Sequence, residues 1–273
     1  MDETLVRSAL FVPGNRPERF AKALASGADV VIVDFEDAVQ EADKAQARQQ
    51  LGSFLRAEPN ARAWVRVNGA DHPQHEADLA FCATEPGVVA LMLPKAESPE
   101  QIAHAAATGK PIIPIIESAK GVQALPAMAW VQGVQRLTYG GLDMSLDLGL
   151  VAGSGGAERM LDQVRFALLI HSRQAGLAGP LETVFADIGD TEGLEQFMAN
   201  GHNMGFAGML CIHPSQVGII HQVLAPGQAA RAWAGRVLQA SAEHTGAFQL
   251  DGQMIDAPVI ERARKILAAT NNG

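Results

Sequence analysis

The feature that most constrains this chain is an eightfold alternation of short β-like runs with longer stretches of helical periodicity. The β-like runs are SALFVPG, DVVIVDFEDAV, ARAWVRVNG, VVALMLPKAE, PIIPIIESAKG, VQRLTYGGLD, LETVFADIGD and FAGMLCIHPSQ. The unbroken apolar core of the second suits a parallel strand buried on both faces. Between the runs lie helical patterns with recognisable ends. PERFAKALASG has Pro17 at its start and Gly27 at its end, and SPEQIAHAAATG is capped by Ser98 and stopped by Gly109.

Eight β–α units over residues 8–224, about 27 residues each, predict an α/β fold of the (β/α)8 TIM-barrel type. The rival is an open doubly wound sheet, but the first turn reads VPGNRPERF and lacks the G-x-G-x-x-G of that fold. Beyond the eighth unit, the sequence predicts a helix near 226–244, an irregular stretch TGAFQLDGQMID and a helix PVIERARKILAA. This remainder is too small for a core of its own. The division is therefore 1–224 for the barrel and 225–273 for a C-terminal helical lid within the same domain unit.

Composition narrows the function. Hydrophobic residues at 48% and charged residues at 19% exclude disorder as the main state. A net charge of -9 disfavours nucleic acid, whose binding needs a basic face, but leaves room for a small anion on a local basic cluster. Cys82 and Cys211 form no zinc or disulfide framework, which suits a reducing cytoplasm. No stretch reads as a secretory signal or a membrane span.

In such a barrel, chemistry sits where strands end and loops begin. The second run ends in Asp34, Glu36 and Asp37, the third in Arg66 and Asn68, and the fourth in Lys95 and Glu97. The fifth ends in Glu117, Ser118 and Lys120, and the sixth in Asp143 and Asp147. Carboxylates converging on one rim repel one another unless a cation intervenes. An oxygen-rich site with few ligands suits Mg²⁺, or Mn²⁺ in its place, and Glu117 and Asp143 on adjacent strand ends are the natural pair. Arg66 can stabilise negative charge developing on a substrate. Asp34 reads as a cap for the following helix or a partner for a neighbouring barrel residue. Gly14, Asn15, Arg16 and Arg19 read as a phosphate-binding helix start or as an ordinary turn and surface. His72, His75 and Glu76 read as a solvated loop and helix start rather than a metal triplet, and His213 as a loop hydrogen-bonding residue. No serine-hydrolase or P-loop motif is present.

Eight segments in order, RSALFVPGNRPERF, VIVDFEDAV, WVRVN, LMLPKAES, IIPIIESAKG, GGLDMSLDLG, GFAGMLCIHPSQV and DGQMIDAP, resemble the citrate lyase β-subunit-like family of the HpcH/HpaI aldolase superfamily. The resemblance runs from Arg7 to about Ala263. It implies a Mg²⁺-dependent carbon–carbon lyase of the oxo-acid type. Such an enzyme cleaves or forms a 3-hydroxy-dicarboxylic acyl-CoA, such as citramalyl-, malyl- or citryl-CoA, with acetyl-CoA and a 2-oxo acid as products.

Carried over by position, the resemblance implies Glu117 and Asp143 as metal carboxylates and Arg66 as the arginine on the thioester enolate. It implies Glu36 and Asp37 as a pair ordering metal waters. Asn15, Arg16, Arg19, Lys22 and Lys95 would lie near CoA. Asp256, in the MIDAP segment, would complete a neighbouring subunit's site and protonate the enolate carbon, within a trimer or hexamer. Two departures stand out: Met209 replaces a lysine of GFxGKxxIHP, and Leu142 stands where some relatives carry an acid. The alternatives are a citrate lyase β subunit acting on a carrier-protein thioester, and a non-catalytic CoA-binding barrel.

Overall fold

The first strand, β1 (Ser8–Pro13), pairs in parallel with both β2 (Val30–Asp34) and β8 (Gly208–Cys211). That double pairing closes the sheet. The other strands are β3 (Ala63–Arg66), β4 (Val88–Leu93), β5 (Ile112–Ile116), β6 (Thr138–Tyr139) and β7 (Leu181–Glu182). All eight are parallel and in sequence order, so the protein is a closed (β/α)8 TIM barrel. The structure is a computed structural model that describes residues 5–244 and 246–271.

Helices alternate with the strands: α1 (Phe20–Leu24), α2 (Lys44–Ala57), α3 (His75–Thr84), α4 (Pro99–Ala106), α5 (Ala119–Met128), α6 (Gly141–Asp147), α7 (Gly155–Gln174), α8 (Thr191–Met204) and α9 (Pro214–Leu224). Local chemistry sets their ends. Ser98 and Gln101 form a reciprocal capping box at α4, and Ser118, Ser154 and Asp190 accept backbone N–H groups at α5, α7 and α8. Among the described residues no helix is long and apolar enough to cross a membrane.

Inside the barrel, Ala9 and Ala90 leave space that Trp64, Ile32, Met92, Ile113, Ile115 and Leu210 fill. This alternation of small and large side chains lets a barrel interior close without voids. One polar cluster is buried with them. Arg165 of α7 donates to Glu182 of β7 at 2.9 Å, with 1% and 0% of their side chains exposed, and Tyr139 of β6 donates to the same carboxylate. Burial pushes the Glu182 carboxyl upward, against the opposing pull of Arg165 and Tyr139.

The sequence reading differs from the structure chiefly at the ends of elements: LETVFADIGD, for one, forms a strand only at Leu181–Glu182. PERFAKALASG was expected as one helix; it forms a 3₁₀ turn at Pro17–Arg19 and only five residues of α1. The sixth run was read as a strand through Asp143, but it stops at Tyr139, and Asp143 lies in the first turn of α6. The stretch expected to be irregular contains a hairpin of β9 (Phe248–Leu250) and β10 (Gln253–Ile255). Its turn is Asp251–Gly252, both with positive φ, the geometry that matches strand twist.

The chain divides into two compact units, one ending at His221 and the other beginning at Gln222. The second unit contains α10 (Gln228–Ser241), the hairpin and α11 (Ala257–Asn271). Ala234, Val237, Ile255 and Ala263 form its buried cluster.

Removing Arg165 would strand a buried carboxylate. Arg165→Met should therefore cost about 3–5 kcal/mol in chemical denaturation. A loss below about 1 kcal/mol would show that the Tyr139 hydroxyl alone is enough for Glu182.

Candidate active site at the carboxyl end of the barrel

The register of the sheet builds the site. Asp34 and Arg66, the last residues of β2 and β3, are direct cross-strand neighbours. Arg66 donates through Nε to Asp34 Oδ1 and through Nη2 to Oδ2, both at 2.7 Å. This planar two-point bond fixes the guanidinium. Asp34 also accepts the backbone N–H groups of Glu36 at 2.9 Å and Ala38 at 3.1 Å. The Phe11 ring lies 4.9 Å from Arg66 Cζ and adds a cation–π contact from β1.

With its Nε edge committed, Arg66 turns Nη1 toward Glu36 at 3.0 Å and Asp37 at 3.5 Å. Burial opposes the arginine's charge, but Asp34, Glu36 and Asp37 outweigh it and hold its pKa above the ordinary value.

Glu36 is buried. Its Oε1 accepts from Lys95 Nζ at 3.1 Å, while Oε2 faces Arg66 without hydrogen-bond geometry. Burial, more than the neighbouring Asp37 charge, pushes its pKa upward. The turn carrying Glu36 is pinned from below: Lys44, buried at the start of α2, donates Nζ to the carbonyls of Phe35 at 2.9 Å and Glu36 at 3.0 Å. Nothing in the sequence marks Lys44, which shares a helix face with Ala47 and Leu51.

Glu117 follows β5 and is 5% exposed. Its Oε1 accepts the backbone N–H of Lys95 at 2.6 Å. Lys95 holds a left-handed φ of 48°, a conformation uncommon for a residue with a side chain, and so bridges two carboxylates from one turn. On the other side Gly140 lies against Glu117, and a Cβ there would collide with the carboxylate. Burial, followed by the charge of Glu36, pushes the Glu117 carboxyl up to about 7, and Asp143 adds to the effect. Asp143 is half-buried in α6, whose start is docked by a bond from Gly141 N–H to Thr183 Oγ1 at 2.9 Å.

Arg66, Asp34, Asp37, Glu117 and Asp143 line one cavity of about 320 Å³. A second cavity of about 570 Å³ lies beside Glu36, Asp37, Asn68 and Lys95. The cradle at Gly140 and three carboxylates with too few local cations, Glu36, Glu117 and Asp143, fit a divalent cation with hard oxygen ligands.

The other residues expected in the site are more dispersed. Asn15 donates to Asp43 at 3.2 Å, Arg16 pairs with Glu18 at 2.7 Å on the surface, and Arg19 and Lys22 are exposed. Met209 is fully buried in β8, and Leu142 is exposed at the cavity wall. Asp256 lies in the second unit, where its carboxylate accepts the Val259 N–H at 3.3 Å at the start of α11.

Residues 7–214 match the HpcH/HpaI aldolase/citrate lyase family. A citrate lyase subunit beta-like protein of Mycobacterium tuberculosis is 36% identical, covering 94% of this chain and 93% of its own. An L-malyl-CoA/beta-methylmalyl-CoA lyase of Cereibacter sphaeroides is 30% identical, covering 96% and 93%. The crystal structure of CitE from Mycobacterium tuberculosis, in complex with magnesium, acetoacetate and coenzyme A, superposes with a TM-score of 0.87 at 35% identity over 98% of both chains.

A carboxyl pushed up in the fold binds its proton more tightly folded than unfolded. The metal-free protein should therefore lose stability as pH rises from the ordinary glutamate range through about 7, by up to about 3 kcal/mol. Thermal melts across that range should show the decline, and Glu117→Gln should flatten it. An unchanged slope in that variant would remove Glu117 as its source.

Proposed function

The chain belongs to the HpcH/HpaI aldolase/citrate lyase family, and from that footing we propose that it cleaves or forms a 3-hydroxy-dicarboxylic acyl-CoA such as citramalyl-, malyl- or citryl-CoA. Membership makes it a lyase of the aldolase class. The observation that carries the proposal is the pairing of an anchored guanidinium, Arg66, with the carboxylates Glu36, Glu117 and Asp143 at one end of the barrel. The relative crystallised with magnesium, acetoacetate and coenzyme A supports this reading of the chemistry.

In this reading Glu117 and Asp143 hold Mg²⁺, with Glu36 and Asp37 ordering water around it. When bound, the ion would supply Lewis acidity that lowers the pKa of the substrate hydroxyl, whose proton would pass to the water ordered by Glu36 and Asp37. Arg66 presents its Nη1 edge to the thioester oxygen. When the carbon–carbon bond breaks, the electron pair passes to that enolate and the arginine stabilises it. Asp34 keeps the guanidinium from following the charge, so little reorganisation is needed. Asp256, contributed by a neighbouring subunit, delivers a proton to the enolate carbon to give acetyl-CoA. Lys95, with Asn15, Arg16, Arg19 and Lys22, receives the CoA phosphates. Large exposed apolar side chains at Leu142, Leu146, Val151, Met160 and Phe166 support a homo-oligomer such as a trimer or hexamer. The free, buried thiols of Cys82 and Cys211 suit a cytoplasmic setting.

Purified protein with Mg²⁺ should release acetyl-CoA from at least one of citramalyl-, malyl- or citryl-CoA. Cleavage of a carrier-protein thioester alone would replace this reading with that of a citrate lyase β subunit. Cleavage of neither by folded, metal-loaded protein would leave a binding protein. Arg66→Lys should lower kcat about 100-fold or more, because a lysine cannot keep both the Asp34 bond and the enolate contact. Asp256→Asn should lower kcat by about 100-fold or more while Mg²⁺ affinity is unchanged. Full turnover in Asp256→Asn would rule out its role as the acid.

A further inference from the structure

Away from the barrel mouth, α3 and α4 bring together three metal-ligating side chains that the proposed reaction does not use. His75 and Glu76 open α3, and His104 lies in the last turn of α4. Their ligand atoms all lie within 4.8 Å of one another. His104 Nε2 is 2.8 Å from Glu76 Oε1, and an ordinary surface ion pair accounts for that contact, since the two side chains are 54% and 74% exposed.

It does not account for His75. This ring is 2% exposed, and its Nδ1 is 2.7 Å from the carbonyl oxygen of Asn68. A carbonyl can only accept, so Nδ1 carries the hydrogen, and in the neutral ring Nε2 presents a lone pair. That Nε2 is buried with no hydrogen-bond partner. Leaving such an atom without a donor costs about 1–3 kcal/mol, and an electrophile removes the cost. An imidazole fixed through Nδ1–H to a carbonyl, with Nε2 free, is also the arrangement that orients histidines on metals.

We propose that His75, Glu76 and His104 form a site for a transition-metal dication of the imidazole-preferring class, with zinc the best match, and with water completing the shell. Two imidazoles and one carboxylate are a zinc-type donor set, whereas magnesium favours oxygen ligands alone. Donors around a tetrahedral zinc stand about 3.3 Å apart. Ligand atoms within 4.8 Å of one another leave a short gap to that spacing, and Glu76 and His104 are the exposed side chains free to close it, while His75 is buried.

The site clamps α3 to α4, and through the Asn68 carbonyl it reaches the end of β3, two residues beyond Arg66. Asn68 is itself held by Asp78, through its backbone N–H at 2.9 Å and its side chain at 2.6 Å. The clamp therefore steadies the loop that walls the larger cavity. The lyase reading rests on other residues and does not depend on this site.

The test uses the full-length, untagged protein, stripped with a chelator and titrated with Zn²⁺ in excess Mg²⁺. One tight Zn²⁺ per chain is expected, and Co²⁺ in its place should give visible d–d bands of tetrahedral or five-coordinate intensity. His104→Gln and Glu76→Gln, both changes at exposed positions, should each weaken Zn²⁺ at least about tenfold. Asp143→Asn should leave it unchanged. The proposal is overturned if wild-type protein binds no stoichiometric Zn²⁺, if both α3–α4 variants bind as wild type does, or if Asp143→Asn abolishes the binding.

Discussion

The two-point bond between Arg66 and Asp34 is the interaction on which the barrel end depends. A guanidinium at this depth is tolerable only because a carboxylate of matching geometry stands beside it. That carboxylate in turn takes the N–H groups of Glu36 and Ala38, so the turn after β2 is shaped by the same group that anchors the arginine. With one edge of Arg66 committed, its remaining edge faces the cavity in a defined direction. Strand register makes this possible, because residues at the same height on neighbouring parallel strands stand side by side.

Around that anchor the protein gathers more negative charge than it neutralises. Lys95 divides itself between Glu36, through its ammonium, and Glu117, through its backbone N–H. It does so from a left-handed backbone conformation that costs free energy and persists because both carboxylates hold it. Burial first and this surplus second raise the Glu117 carboxyl, and Glu36 is left incompletely bonded. Sites that await a charged ligand commonly hold such strain and such shifted groups. On the other side of the barrel wall, Arg165 and Glu182 match one another's buried charge.

The chemistry of the rim was more legible in the sequence than its mechanics. Arg66, Glu117 and Asp143 follow apolar runs, and position after a strand is a local property of the chain. Asp34 reads from the sequence as a helix cap or a partner for a neighbouring barrel residue, and it takes the N–H groups of Glu36 and Ala38 as well as the Arg66 guanidinium; Lys44 was harder to read because its part depends on distant partners. Lys44 looks like any lysine at a helix start until its ammonium is found under the carbonyls of Phe35 and Glu36. The hairpin near Asp251–Gly252 is a different case: the Asp-Gly signal was present between alternating residues, and only its weakness beside longer helices hid it. Likewise His72 lies nearer to His75 in sequence, yet the structure brings His104 of the next helix to it and gives His72 to Glu41.

By itself, the sequence determined the eightfold alternation of strand and helix, from which a closed parallel barrel follows as an expectation, and it placed Arg66 and Glu117 at the ends of their strands; Asp143, read as a strand end, lies in α6. These readings follow from hydrophobic periodicity and from local end signals, which act over a few residues. Only the tertiary structure decided which of those groups are charged against one another, which are anchored and which are left wanting a partner. Such properties depend on distances and burial between residues far apart in the chain, as between Glu117 and Gly140, Arg66 and Asp34, or His75 and His104. Electrostatic energies vary with separation and solvent exposure, and no periodicity along the chain encodes either.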